Sequence, residues 1–245
     1  MHKTMTRLSL LFVVLSLMVI AGCNTEDWDT GPPQTESQTV KLGGAKSARV
    51  EIEMSAGELS VGPGAKELLE ADFSYRSPSS RPEVEYNVSE GQGQLTIRHR
   101  SSVHGRAGGH NKWDLQLSNK VPLELKVDQG AGRAKLTLAG LSLRRLDLNI
   151  GAGETVVDLS GDWKNDLTAN IAGGVGKATV RLPSEVGVRA TAHGGIGAVN
   201  VHGLKKDGDA YVNEAYGKSP ITVQVKVEGG VGEINLELSE APPSV

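Results

Sequence analysis

Few side chains in this 245-residue chain are of types suited to chemistry, and their spacing decides what each could do. His99, His104 and His110 fall in one short stretch, and His193 and His202 flank the glycine at 197. Imidazoles so grouped could hold zinc, but tetrahedral sites add cysteine or carboxylate at characteristic spacings, and neither completes a set here. The plainer reading is exposed loop and face residues. Asp147, Asp158, Asp162 and Asp166 offer carboxylates of the kind a glycosidase pairs across the scissile bond, yet they occupy outward strand positions or a turn, where charge is solvated. A serine nucleophile lacks the Gly-x-Ser-x-Gly turn that would present it. Gly174-Val175-Gly176-Lys177 has the ending of a phosphate loop, with Ile171 where the first glycine is required and Ala178 in place of the metal-binding hydroxyl. The Gly-Gly-x-Gly runs ending at Gly176, Gly197 and Gly232 open like calcium-binding nonapeptides. Those repeats need aspartate two places on, where Ala178, Val199 and Ile234 stand. The expectation is therefore a protein that is not an enzyme, carries no cofactor and has no assigned metal site.

Cys23 is the one cysteine, so no disulfide framework is available, and cysteine catalysis is excluded with it. It follows a basic start (Lys3, Arg7), an apolar run from Leu8 to Ile20 and the small residues Ala21 and Gly22. This is a secretory signal whose apolar core is too short to span a bilayer. The segment Ile20-Ala21-Gly22-Cys23 resembles the lipobox of bacterial lipoproteins. The resemblance implies cleavage between Gly22 and Cys23 and acylation of Cys23, with two or three chains needed for stable anchoring. The expected location is the extracytoplasmic side of the cell membrane, or the outer membrane in a host that has two.

Net charge is −3 for the whole chain, which leaves no basic footprint for nucleic acid. Aromatics make up only 4% of the residues while 31 are glycine, so small aliphatic side chains must fill the core. Residues 23–45 are polar and turn-rich without periodicity and read as a lipidated cysteine and flexible tether. A β-repeat domain is expected over 46–245, more divergent over 46–118 and regular over 119–240.

The repeat aligns on Gly57, Gly93, Gly132, Gly153, Gly176, Gly197 and Gly232, each expected to make a structural turn. Apolar residues stand two and four places after each anchor, with Thr155 the polar exception, and five and seven places before it. Polar residues such as Asp147, Asn149, Thr168 and Asn170 alternate with them. Each unit thus reads as two half-buried strands joined by a tight glycine turn. One such unit cannot bury its own face, so stacking is required, giving an all-β, β-solenoid architecture. An antiparallel β-sandwich is the alternative. Wider spacings mark insertions: a strand-like piece at Leu68–Tyr75, a basic loop from His99 to Lys112 followed by a strand-like Trp113–Leu117, and a loop at Gly203–Pro220. The 46–62 unit and the tail from Glu237 to Val245 are the candidate caps for the two ends of the stack.

From Leu159 to Leu238 the motifs include Leu159-Ser-Gly-Asp-Trp, Arg181-Leu-Pro-Ser-Glu-Val-Gly-Val-Arg, Asn213-Glu-Ala-Tyr-Gly and the three Gly-Gly-x-Gly runs. They resemble the toast-rack family of bacterial lipoproteins, related to the C-terminal domain of LiaF-type antibiotic-response membrane proteins. The resemblance implies a stacked β architecture and supplies no catalytic residues. The functional expectation is a membrane-anchored surface for an envelope protein or the cell-wall polymer. Contact is assigned to the 203–220 insertion through Lys205, Lys206, Tyr211, Asn213, Glu214 and Tyr216, because loops that interrupt a rigid repeat carry binding residues. A small-ligand or metal-binding envelope protein using the histidine loop is the alternative.

Overall fold

The structure, a computed structural model, describes residues 32–77, 80–99 and 111–240. In chain order the strands are β1 (Gln34–Val40), β2 (Ser47–Pro63), β3 (Leu69–Tyr75), β4 (Pro82–Ser89), β5 (Gln92–His99), β6 (Lys112–Leu117), β7 (Leu123–Thr137), β8 (Leu143–Asp158), β9 (Leu167–Leu182), β10 (Gly187–His202), β11 (Lys205–Asp207), β12 (Ala210–Val212) and β13 (Thr222–Leu238). No α-helix occurs among the described residues. The long strands β2, β7, β8, β9, β13 and β10 stack in that order, every pair parallel and, apart from a shift between Leu123 and Glu124 at the start of the β7–β8 pair, in register. The parallel stack replaces the antiparallel sandwich considered as the alternative.

Each repeat unit is one continuous strand bent at its anchor glycine, where two strands joined by a reverse turn were expected. Gly57, Gly132, Gly153, Gly176, Gly232 and Gly197 adopt φ of 121–142° and lie opposite one another along the stack. A Cβ on any of the last five would sit 1.7–2.0 Å from the carbonyl oxygen of the glycine before it in the stack. Gly130, Gly151, Gly174, Gly230 and Gly195 make a second such column, at 2.3–2.5 Å. Positive φ and missing side chains let the backbones turn a corner at the ordinary interstrand spacing. The ladder resumes beyond the bend because the neighbouring strand bends at the same residue.

The two arms of the folded sheet enclose one core. Leu125, Val127, Leu146 and Leu148 line one arm; Leu136, Val157, Val180 and Leu236 line the other, and all are buried. Burial of each such side chain contributes roughly 1.5–3 kcal/mol. Thr155, the polar exception in the alignment, is buried as well.

Three assignments made from sequence are corrected here. Gly93 is not a turn residue: the turn of its hairpin is Glu90–Gly91, with φ of 52° and 79°, and Gly93 lies in β5, where an added Cβ would meet the Tyr86 hydroxyl at 2.5 Å. Residues 34–40, read as tether, form β1 antiparallel to β3. The 46–62 unit is not an end, nor are Glu237 and Leu238; residues 241–245 of the second assigned cap lie outside the described residues. The first arm of β2 is covered by β5 and its second arm by β6, while the C-terminal β13 inserts between β9 and β10. The stack therefore ends on β10.

Candidate interaction surface

The outward rows of the stack are built from polar residues in register. Glu58, Arg133, Glu154, Lys177 and Glu233 alternate in sign along one row, with Arg133 2.9 Å from Glu58 and 3.7 Å from Glu154, and Lys177 3.5 Å from Glu233. Asn149 donates to Asp128 at 2.7 Å and Asn170 to Asp147 at 2.8 Å, each from one strand to the next. Exposed pairs of this kind stabilise by well under 1 kcal/mol each. Their effect is to penalise a slipped register, and they leave these faces with their charges mutually engaged.

The carboxylates weighed for catalysis are occupied in the same way. Asp147 is held by Arg145 at 2.6 Å, which with the Asn170 amide keeps its carboxyl below the usual range. Asp158 accepts from the backbone and hydroxyl of Ser160, Asp162 pairs with Lys164, and Asp166 accepts from the Thr222 amide at 2.8 Å. His193 and His202 lie on opposite arms of β10, in register with Glu228 and Glu237, so the bend does not bring them together. His104, His110, Gly22 and Cys23 lie outside the described residues. No group of three or more His, Cys, Asp or Glu among the described residues is arranged to hold a metal.

His99 is half-buried at the β2 corner, not in an exposed loop. Its Nδ1 accepts from the Ser55 amide at 3.0 Å, and its ring lies 4.9 Å from that of Trp113. An accepting Nδ1 fixes the neutral tautomer with the proton on Nε2. Burial holds its pKa below the ordinary histidine value.

The 203–220 insertion divides into a pinned part and a free part. Asn213 is buried: its Oδ1 accepts from the Val188 amide at 2.9 Å, and its Nδ2 donates to Val186 at 2.7 Å and to Pro183 and Ser184 at 3.3 Å. The assignment of Asn213 to partner contact is thereby corrected, since every polar atom of its side chain is already used inside the fold. Tyr211 packs on the core from β12, whose only pairing with β10 is at Arg189 and Ala190. Lys205 and Glu214 form an exposed pair at 2.9 Å, and Lys206 and Tyr216 are exposed as well.

The feature that sequence reasoning missed lies at the bend. Along the stack the residue before each corner glycine reads Ala56, Ala131, Ala152, Val175, Val231 and Ile196, half-exposed at Ala56 and Ala131 and exposed at the other four. Small residues thus give way to larger aliphatics toward the β10 end, where Val175 is 57%, Val231 46% and Ile196 72% exposed. These three aliphatics, adjacent in register and exposed at the corner, form a contiguous apolar ridge. The signal was present as the third residue of each Gly-Gly-x-Gly run.

The chain matches a family model described as the N-terminal domain of toast_rack, DUF2154, over residues 29–181. The chain belongs to the toast-rack family. A solved structure from Clostridium sporogenes, described as a "putative cell adhesion protein", is 34% identical, with the match covering 85% of this toast-rack chain and 100% of that one at a TM-score of 0.81. A second, from Bacteroides fragilis and described as a "putative adhesin", is 9% identical over 84% and 97% of the two chains at a TM-score of 0.31. Among curated proteins none matches the chain. In this toast-rack protein the matched segment contains the corners at Gly57, Gly132, Gly153 and Gly176, while β10, the 203–220 insertion and β13 lie beyond it.

Proposed function

We propose that this toast-rack protein is a non-enzymatic module, lipid-anchored through Cys23 on the extracytoplasmic face of a bacterial membrane, that presents its β10 end to an envelope protein. The observation that carries the reading is the apolar ridge of Val175, Val231 and Ile196. An exposed aliphatic ridge favours a protein partner over the hydroxyl-rich cell-wall polymer, for which outward hydrogen-bonding groups would be needed. The description of the C. sporogenes relative as a cell adhesion protein supports a role in surface contact. Lys205, Lys206 and Tyr216, exposed on the insertion over the start of β10, add polar groups to the same end of the stack. Only ten residues separate Cys23 from Gln34, the first residue of β1, and a chain of that length spans at most about 40 Å even when fully extended. An anchor at Cys23 therefore keeps the domain close to the membrane, where its partner is a membrane protein.

Crosslinking in intact cells tests this. Wild type should capture a specific envelope protein, and both Cys23→Ala and Ile196→Asp should lose it, the latter with unchanged thermal stability. Capture by Ile196→Asp at the wild-type level, or no specific capture by any form, contradicts the reading.

A further inference from the structure

Among the described residues, β10 beyond Ala190 has a strand on one side only. Its partner β13 is in register through His202, and on the other side β12 reaches no further than Arg189 and Ala190. The consequence is visible in the core. Ile234 and Leu236 of β13 are buried, whereas their counterparts Val199 and Val201, one strand further along, are 36% exposed and half-buried. The last layer of the stack is open on its second arm.

The other edges carry charge. β1 has Glu36, β4 has Glu83 and Glu85, and β11 has Lys205, Lys206 and Asp207. Charged edge strands resist pairing with another chain. From Gly194 to Val201 β10 carries no charged residue.

We propose that the open arm of β10 pairs antiparallel with the same arm of a second copy about a two-fold axis, so that two folded sheets run on into one. The inference rests on reading the β10 end as the contact end and names a partner for its edge, leaving the ridge to the envelope protein. A two-fold perpendicular to the sheet is the operator that keeps both core faces on the same side. Centred on Asn200, it sets Val199 of each copy opposite Val201 of the other on the core face, and Ala198 opposite His202 on the outer face. Each copy thus supplies the apolar layer that the other lacks, without placing charge against charge. Head-to-tail stacking is closed, because both arms of β2 are already covered, so the contact makes a dimer rather than a filament. One short strand pair falls at or below the roughly 1,200 Å² low end of stable interfaces, so the dimer is weak in solution. Two copies anchored in one membrane are confined to a thin layer beside it, which raises their local concentration above that in solution.

The test is disulfide trapping of the full chain in its membrane. Antiparallel neighbours lie about 4.5–5.5 Å apart at Cα, within disulfide reach. Asn200→Cys should yield a crosslinked homodimer under mild oxidation at least ten-fold above both the parent chain and Lys206→Cys, and adding Val199→Lys should abolish it. Sedimentation of the detergent-solubilised chain without the cysteine change should show self-association that Val201→Lys weakens at least ten-fold. Trapping no greater than for Lys206→Cys, trapping of a different protein in place of the homodimer, or sedimentation identical for the parent chain and Val201→Lys overturns the proposal. The two readings separate cleanly. Loss of the homodimer with envelope-protein capture intact removes the dimer alone, and a trapped homodimer with no capture removes the functional reading alone.

Discussion

A buried amide shows most directly how single residues of this protein divide between structure and contact. Asn213 satisfies one amide and three carbonyls around the start of β10, so Asn213→Ala strands buried polar groups. The expected loss is about 2–4 kcal/mol by chemical denaturation. Lys205→Ala removes only an exposed ion pair and should change stability by under about 0.5 kcal/mol. Sequence put these two residues in one class because polarity next to tyrosine looks the same whether an amide faces water or caps a loop. His99 offers a second test. Its folded pKa lies below the ordinary value of about 6.5, so between those two values the unfolded chain binds a proton that the folded one refuses. Stability from His99 is fully present above pH 6.5 and is lost as pH falls toward the folded value. The melting temperature should therefore drop from pH 7 to pH 5, and the drop should be smaller in His99→Gln.

The strands and corners make the next set of claims, and here the sequence was most legible. Alternating aliphatic and polar residues on both sides of a recurring glycine define the long strands and their inward faces, and the wide spacings coincide with β3, β6 and the β11–β12 hairpin. What failed was the nature of the junction. A glycine between two alternating runs is consistent with a reverse turn or with a bend, and only the lateral neighbour, whose carbonyl fills the space of the missing Cβ, distinguishes them. Gly153→Ala should accordingly cost more than about 3 kcal/mol, since it combines strained φ with a contact of 1.8 Å to the Gly132 carbonyl oxygen. Gly140→Ala, at φ 84° with nothing within 4 Å, should cost about 1 kcal/mol. β1 escaped detection for a different reason. Gln34–Val40 has almost no apolar face, and the strand is held by backbone pairing to β3 and by Glu36, whose carboxylate takes Arg81 at 2.7 Å, Tyr75 and Gln38. Those donors, led by Arg81, lower its pKa to about 2, so this tie persists to strongly acid pH.

At the scale of the whole molecule the stack is asymmetric. The β2 end is closed by short strands that bring in Phe73, Tyr75, Tyr86 and Trp113, with Phe73 packed edge-on to Trp113 at 5.6 Å. Bulk is needed where repetition stops, which is why a chain so poor in aromatics places several of them there. Among the described residues, the β10 end has Tyr211 over one arm and no strand over the other. This asymmetry was not legible beforehand, because the repeats are too alike for sequence to say that β13 returns to lie inside β10. The position of the ridge follows from the same ordering, since inserting β13 sets Val231 between Val175 and Ile196. That the β10 end, and not the closed end, faces the partner is the central claim. The direct measurement places a photo-crosslinking amino acid at Ile196 in one form and at Glu85, on the closed end, in another, each expressed as the full chain in living cells. Adducts to one envelope protein from position 196 and none from position 85 are predicted; adducts from position 85 alone would contradict the account.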